Sequence, residues 1–350
     1  MTILFAILLF SLLIFVHELG HFVAAKLSGV QVNEFSMFMG PAIVKWQRGE
    51  TLYAIRTIPI GGYCAMEGED VDTDNPRSFQ KAAWWKRLII LVAGATMNFI
   101  LGLVMMGIIY APAQSVSVPE IADVMPGCTI VGEDGLHVGD RIVEMDGEKI
   151  YTTSDFFLIL TVNPGDIHDI VVERNGTTVE LNDFYMEKHV FPEDEDAEYG
   201  IYFGREQLDF AGKIRYAWLE SVNVVRTVRL SLKMLFTGNA GFKDMAGPAY
   251  LVKTMSDTAK SAENVLDALM DLLYIGGFIS INLSVMNLLP IPALDGGRVL
   301  GLLLTTGIEA VIGRKINSKY EGYIHGVGMI LLLALMAAVT FKDFFVMFKG

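Results

Sequence analysis

His17-Glu18-Leu19-Gly20-His21 lies inside an apolar run that begins at Ile3 and continues to about Ala25. A run of that length crosses a bilayer as one helix, because lipid offers no partners for unsatisfied backbone groups. On a helix the two imidazoles, four residues apart, share a face. That pairing suits a tetrahedral zinc ion, with the glutamate between them placed to take a proton from an attacking water. Ionisable side chains at membrane depth cost about 3 kcal/mol each, so they mark function by default. Chance is a serious explanation of this pattern in a soluble chain. It is a weak one for three ionisable residues within a turn and a half of a span.

The chain has 350 residues, 52% of them hydrophobic and only 19% charged, too apolar for an ordinary soluble domain. Further apolar runs cover about Leu88 to Ala111, Val265 to Leu289 and Ile324 to Phe348, which makes about four spans in a multi-pass α-helical membrane protein. The first run has no basic leader and no small-residue cleavage site, so it reads as a permanent span and not a signal peptide. The net charge of −13 comes largely from Pro119 to Asp209, which reads as one water-exposed α+β insertion. Such acidity excludes nucleic-acid binding. Cys64 and Cys128 fall on either side of the second span, so neither a structural disulfide nor a thiolate zinc site is expected.

Between the first two spans, Ile43 to Gln47 and Glu50 to Arg56 flank Arg48-Gly49 as a β-hairpin, expected to end at Pro59 and Gly61-Gly62. Trp84, Trp85, Lys86 and Arg87 anchor the second span at an interface. Gly94, Gly102 and Gly107 let helices approach closely; Asn98 either bonds a neighbouring helix or supports the site. Within the insertion, strands are expected at 118–121, 141–145, 167–174, 177–182 and 200–203. Asn175-Gly176 is the turn between two of them, and a helix from Ser154 to Val162 is capped by Thr153 or Ser154. Glu193 to Glu198 reads as a solvated acidic run. Phe210 to Phe236 is a basic amphipathic helix, expected at the membrane surface or capping the helical bundle. Asp244 to Pro248 is a loop before another helix.

Lys26, Lys45, Arg48, Arg56, Lys81, Lys86 and Arg87 lie between spans one and two, and Arg298, Arg314, Lys315 and Lys319 between spans three and four. Basic loops face the cytoplasm, which puts the acidic insertion and both termini outside.

Two histidines leave a zinc ion short of ligands, and a catalytic site keeps one position open for water. Asp295 is the candidate third ligand. At the cytoplasmic end of span three, it follows a stretch from Asn287 in which Pro290 and Pro292 break the helix, and Gly296-Gly297 come directly after it. Irregular backbone at membrane depth is tolerated only where protein or a watery cavity surrounds it. Asp295 alone reads as a turn aspartate; beside the two histidines it reads as a ligand.

HELGH in a first span with Asn-Leu-Leu-Pro-Ile-Pro-Ala-Leu-Asp-Gly-Gly (287–297) in a later one resembles the site-2 protease family of intramembrane zinc metalloproteases. The similar bacterial members carry a PDZ domain between spans two and three. Asp123 to Gly127 and Gly135 to Gly147 resemble such a PDZ domain, Phe35 to Gly62 the family's membrane-associated β-structure, and Ala93 to Asn98 and Met245 to Pro248 short motifs usual in these proteins. The resemblance implies zinc on His17, His21 and Asp295, Glu18 as catalytic base, and Asn287 either contacting substrate or satisfying unwound backbone. It implies a membrane catalytic domain in two parts, 1–116 and 207–350, around a PDZ-like extracytoplasmic domain, 117–206. It further implies the bacterial inner (cytoplasmic) membrane, and single-span membrane-protein substrates such as an anti-sigma factor or a signal-peptide-like remnant, cut after a first extracytoplasmic cleavage. There is room for one PDZ domain, not two. A prenyl-protein protease would want a glutamate as third ligand in a later span, where none is suitable. A metal transporter would line several spans with ionisable groups, whereas here they cluster at one depth. His325 is the further histidine near a span and reads as a packing residue.

Overall fold

The structure is a computed structural model that describes residues 2–349 apart from 70–72, 129, 133–134, 191–196, 242–244, 246, 263 and 314–318. Of the residues read above, Glu193 to Asp196, Asp244, Ala246, Arg314 and Lys315 lie outside the described residues. Among the described residues, four helices are long and apolar enough to cross a membrane: α1 (Thr2–Ser28), α2 (Trp84–Tyr110), α6 (Val265–Asn287) and α8 (Lys319–Lys349). They coincide with the four apolar runs, and the chain is a multi-pass membrane protein with added β-structure. It divides into two compact units, Met1–Met105 with Ala240–Gly350, and Met106–Asn239.

In the first unit, small residues let α1, α2 and α6 cross closely. A Cβ on Gly20 of α1 would strike the Ala93 carbonyl of α2, and one on Gly102 would meet Ile281 of α6. Ser280 of α6 donates its hydroxyl to the Asn98 carbonyl of α2 (2.7 Å), joining the two at depth.

The β-hairpin is longer than expected. β1 (Val32–Arg48) and β2 (Thr51–Met66) pair around a turn at Gly49, and β2 does not stop at Pro59 or Gly61-Gly62. Instead the strand bends there, with Gly61 at φ 79°, a conformation glycine adopts without strain. The bend carries residues 62–65 to the other side of β1, so Phe35 pairs with both Tyr53 and Cys64. Phe22 of α1 packs on Phe35 (ring centroids 4.9 Å apart), which docks this sheet on the helix bearing the two histidines. At the hairpin tip, Arg77 and Lys26 donate to the Glu50 carboxylate (2.6 to 2.8 Å) and hold it down to about 2.

Asp295 does not end the third span. α6 stops at Asn287, residues 288–294 form a turn, and Asp295 opens a separate helix, α7 (Asp295–Ile312). Cβ atoms on Gly296 and Gly297 would strike the Leu288 and Ile291 carbonyls, so the glycine pair lets the first turn of α7 fold under the turn before it. α5 (Pro248–Ser261) precedes α6.

The second unit is built on a sheet of order β10-β3-β4-β6-β7, where β3 is Ser115–Val124, β4 Arg141–Met145, β6 Ile167–Arg174, β7 Thr177–Tyr185 and β10 Ile201–Gln207. They correspond to the five strands expected from the sequence. Short β5 (Glu148–Lys149) pairs with β4, and β8 (His189–Val190) with β9 (Ala197–Glu198). Asn175 and Gly176 both have positive φ, as a tight hairpin turn demands. Ile121, Leu136, Ile142, Met145, Phe156 and Ile170 form its core. α3 (Thr153–Val162) starts one residue earlier than expected because Thr152 and Asp155 make a capping box. α4 (Phe210–Thr237) is the basic amphipathic helix. Its Tyr216, Glu220, Asn223 and Val224 are buried; Ser154 of α3 donates to Glu220 (3.0 Å) and Asn223 to Asp155 of α3 (2.7 Å), while Arg226 and Arg229 reach Lys149 and Glu148 of β5. Burial pushes the Glu220 carboxyl up from its usual range. Cys64 and Cys128 are free thiols.

Candidate metal centre

His17 and His21 fall on one face of α1, with their Nε2 atoms 3.2 Å apart. The start of α7 brings Asp295 to them. Its Oδ2 lies 3.2 Å from His17 Nε2 and 3.4 Å from His21 Nε2. Three atoms on a tetrahedral zinc with bonds of about 2.0–2.1 Å stand roughly 3.3–3.4 Å from one another. The three donors therefore have the spacing of one face of such a tetrahedron. Among the described residues this is the group of three or more His, Cys, Asp or Glu side chains that converge closely enough to hold a metal.

The surroundings fit the same reading. His21 donates its Nδ1–H to the Ile90 carbonyl of α2 (2.8 Å), which leaves the Nε2 lone pair facing the cluster. His17 Nδ1 faces the side-chain amides of Asn98 and Asn287, each at 3.5 Å through Nδ2. Asn98 Oδ1 is buried without a hydrogen bond, and turning that amide over presents the oxygen to a His17 Nδ1–H. Asp295 Oδ2 is likewise buried without a hydrogen bond, although two imidazole nitrogens stand beside it. A buried carboxylate oxygen facing only lone pairs is unfavourable unless a cation sits among them.

Glu18 is half-buried and neighbours the bent strand: a Cβ built on Gly62 of β2 lies 3.7 Å from Glu18 Cγ. Gly94 lies against both imidazoles, since a Cβ there would run into His21 Nε2 and His17 Cε1. The structure thus gathers His17, His21, Asp295, Glu18, Asn98 and Asn287. His325 is outside the cluster and accepts the Ala293 N–H at Nδ1 (3.1 Å). The Ile90 carbonyl was not foreseen, because a backbone acceptor carries no residue-type signal. Gly94 is visible in the sequence as a small helix-packing residue and part of a short motif, not as the floor under the imidazoles.

Comparison with known proteins places these residues in context. The family model described as peptidase family M50 matches residues 5–335. A protein of Clostridium acetobutylicum named as a zinc metalloprotease is 36% identical over 347 residues, covering 98% of this chain and 97% of the relative. One of Clostridium perfringens with the same kind of name is 36% identical over 347 residues, covering 98% of each. The regulator of sigma-W protease RasP of Bacillus subtilis is 27% identical over 434 aligned positions, covering 98% of each.

Proposed function

The chain belongs to peptidase family M50, the site-2 protease family, and is a zinc metalloendopeptidase; from that premise we propose that it cuts peptide bonds in or near the transmembrane segments of other membrane proteins. In this reading His17, His21 and Asp295 hold the zinc. The observation that carries it is the mutual spacing of their three ligating atoms, 3.2, 3.2 and 3.4 Å.

A bound zinc ion supplies Lewis acidity, which makes a water nucleophilic near neutral pH and polarises a carbonyl. Glu18 accepts the proton of that water on its carboxylate and returns it to the leaving amine nitrogen. Ile90 holds the His21 ring in the tautomer that leaves Nε2 free, and the Asn98 amide does the same for His17. Asn287, close to His17, is placed either to contact substrate or to satisfy the turn that follows it. A substrate helix hides its carbonyls in its own hydrogen bonds and must unwind. The segment of β2 next to Glu18 is an edge on which an extended chain adds as a strand. Proline substitutions along 62–65 are then expected to reduce cleavage while zinc stays bound; unchanged cleavage would remove the edge from the mechanism.

We read 117–206 as a PDZ-like extracytoplasmic domain between catalytic parts 1–116 and 207–350, a reading that the sheet within the second unit supports. The basic loops support a cytoplasmic active site in the bacterial inner membrane, with both termini outside. A relative named for sigma-W regulation supports an anti-sigma factor as the substrate class; signal-peptide-like remnants are the other class in this reading, with this cut following an earlier extracytoplasmic one. If the domain acts as a size filter, deleting 119–204 lets untrimmed substrates be cut; if it binds a peptide terminus, the deletion weakens cleavage. The activity itself is tested with a single-span reporter bearing a short extracytoplasmic stub. Wild type cuts it, and Glu18→Gln, with zinc retained, is slower by about 10²–10⁴-fold. Equal cutting by both proteins would contradict the assignment of Glu18.

A further inference from the structure

We infer that His325, on the last helix, is a positioning residue for the metal centre, clasping the turn that presents Asp295; this rests on the ligand assignment of Asp295 made above. The turn between α6 and α7 has an unusual hydrogen-bond ledger. Pro290 and Pro292 have no N–H. Leu288, Leu289, Ile291 and Leu294 donate to backbone carbonyls within or just before the turn. That leaves the Ala293 N–H, and it goes to His325 Nδ1 at 3.1 Å. Every backbone donor of the turn is thus accounted for, one of them by a side chain from another helix. Ala293 also sits at φ 81°, a left-handed conformation that a residue with a Cβ holds only when its surroundings enforce it.

A second contact acts on the same turn. Gly328 lies one helical turn beyond His325, on the same face of α8, and a Cβ there would collide with the Pro292 side chain and come 2.8 Å from its carbonyl carbon. Only glycine allows α8 to lie this close. From 322 to 330, His325 and Gly328 are the positions of α8 that are not exposed. The far end of the helix is tied separately. Asp343 accepts the Tyr250 N–H at the start of α5 (3.2 Å), where the N-cap Gly247 has no side chain to offer, and Lys342 donates to the Met245 carbonyl. Between these ties the span is almost bare, with 6% of its most apolar window buried. Among the described residues, then, one place where helix α8 is held is the backbone two residues before Asp295. His325 and Ala293 also line a cavity of about 340 Å³, with Glu69, Arg87 and Arg298, so the clasp forms one wall of a space beside the turn.

The test compares His325→Leu, His325→Asn, Gly328→Ala and Asp295→Asn in the full chain, reading zinc release to a competing chelator, reporter cleavage and thermal unfolding. The oxygen of an asparagine falls near the place of Nδ1 and keeps the acceptor; leucine removes it. His325→Leu and Gly328→Ala should release zinc about tenfold more readily, with cleavage reduced, while His325→Asn stays close to wild type. The inference is overturned if His325→Leu and Gly328→Ala hold zinc as wild type does, whatever happens to cleavage. It is equally overturned if His325→Asn behaves like His325→Leu. Asp295→Asn separates the two readings: if it holds zinc as wild type does, the ligand assignment fails, and if it alone releases zinc, the clasp fails.

Discussion

Asp155 in the second unit is a buried carboxylate and Asp295 in the first a half-buried one with its Oδ2 buried; both stand in the first turn of a helix, and their partners differ completely. Asp155 accepts the Tyr151 and Thr152 backbone N–H groups (2.8 and 2.9 Å), the Asn223 amide (2.7 Å) and the Arg226 guanidinium. Its charge is balanced inside the protein, and it fixes α3 to α4. Asp295 Oδ2 faces two imidazole nitrogens and accepts no hydrogen bond. One arrangement is complete as it stands and the other is complete only with a cation. Burial of a carboxylate is therefore not the sign of a site; convergence of acceptors without donors is.

The sharpest way to break this comparison is to make the same change in both places. Asp295→Asn should abolish zinc retention and cleavage while the protein still folds. Asp155→Asn should do the reverse, lowering the unfolding free energy of the second unit by about 2–3 kcal/mol, since Arg226 loses the charge-assisted hydrogen bond to its nearer carboxylate and keeps Glu148 at 3.6 Å. Zinc content per folded molecule should not change. Loss of zinc in Asp155→Asn, or its retention in Asp295→Asn, would erase the distinction.

Next in size is Gly94→Ala. The added methyl group must displace the imidazoles, so zinc affinity is expected to fall by about 10–100-fold. Gly107, which has nothing near its Cβ position, provides the control: Gly107→Ala should leave zinc binding unaltered.

The smallest effect concerns a third carboxylate, Asp140. Burial raises its pKa, but Arg174 (2.7 and 2.8 Å) and the His137 N–H (2.8 Å) outweigh this and hold the carboxyl below its ordinary value of 3.8. Its ionised form thus stabilises the fold fully above 3.8, and the contribution disappears as pH falls through the folded-state value. Denaturant unfolding should show wild type more stable than Asp140→Asn at neutral pH, with the gap closing in acid. A gap that widens in acid would contradict the paired state of Asp140.

Much of this was legible in the sequence, for identifiable reasons. The four spans announce themselves because lipid forbids polar interruption, and the interruption in α1 is therefore the site. The strands of the second unit are short stretches between turn residues, and Asn175-Gly176 marks one hairpin because both residues adopt positive φ readily. The hairpin was misjudged because proline and paired glycines usually end a strand; here they mark a bend whose far side is paired by β1. Asp295 was read as the end of a span because its helix, α7, begins in the same apolar stretch, and nothing in composition separates a broken helix from two helices. The part played by His325 was invisible for a different reason. Its partner is a backbone N–H, and only the fold shows that two prolines leave that donor for a side chain to satisfy.

The central claim is that His17, His21 and Asp295 share one zinc ion. Zinc-edge X-ray absorption on the purified full-length protein tests it most directly. The account predicts a first shell of two imidazole nitrogens and carboxylate or water oxygens at about 2.0–2.2 Å. A shell containing sulfur at about 2.3 Å would place the metal on a cysteine and contradict it.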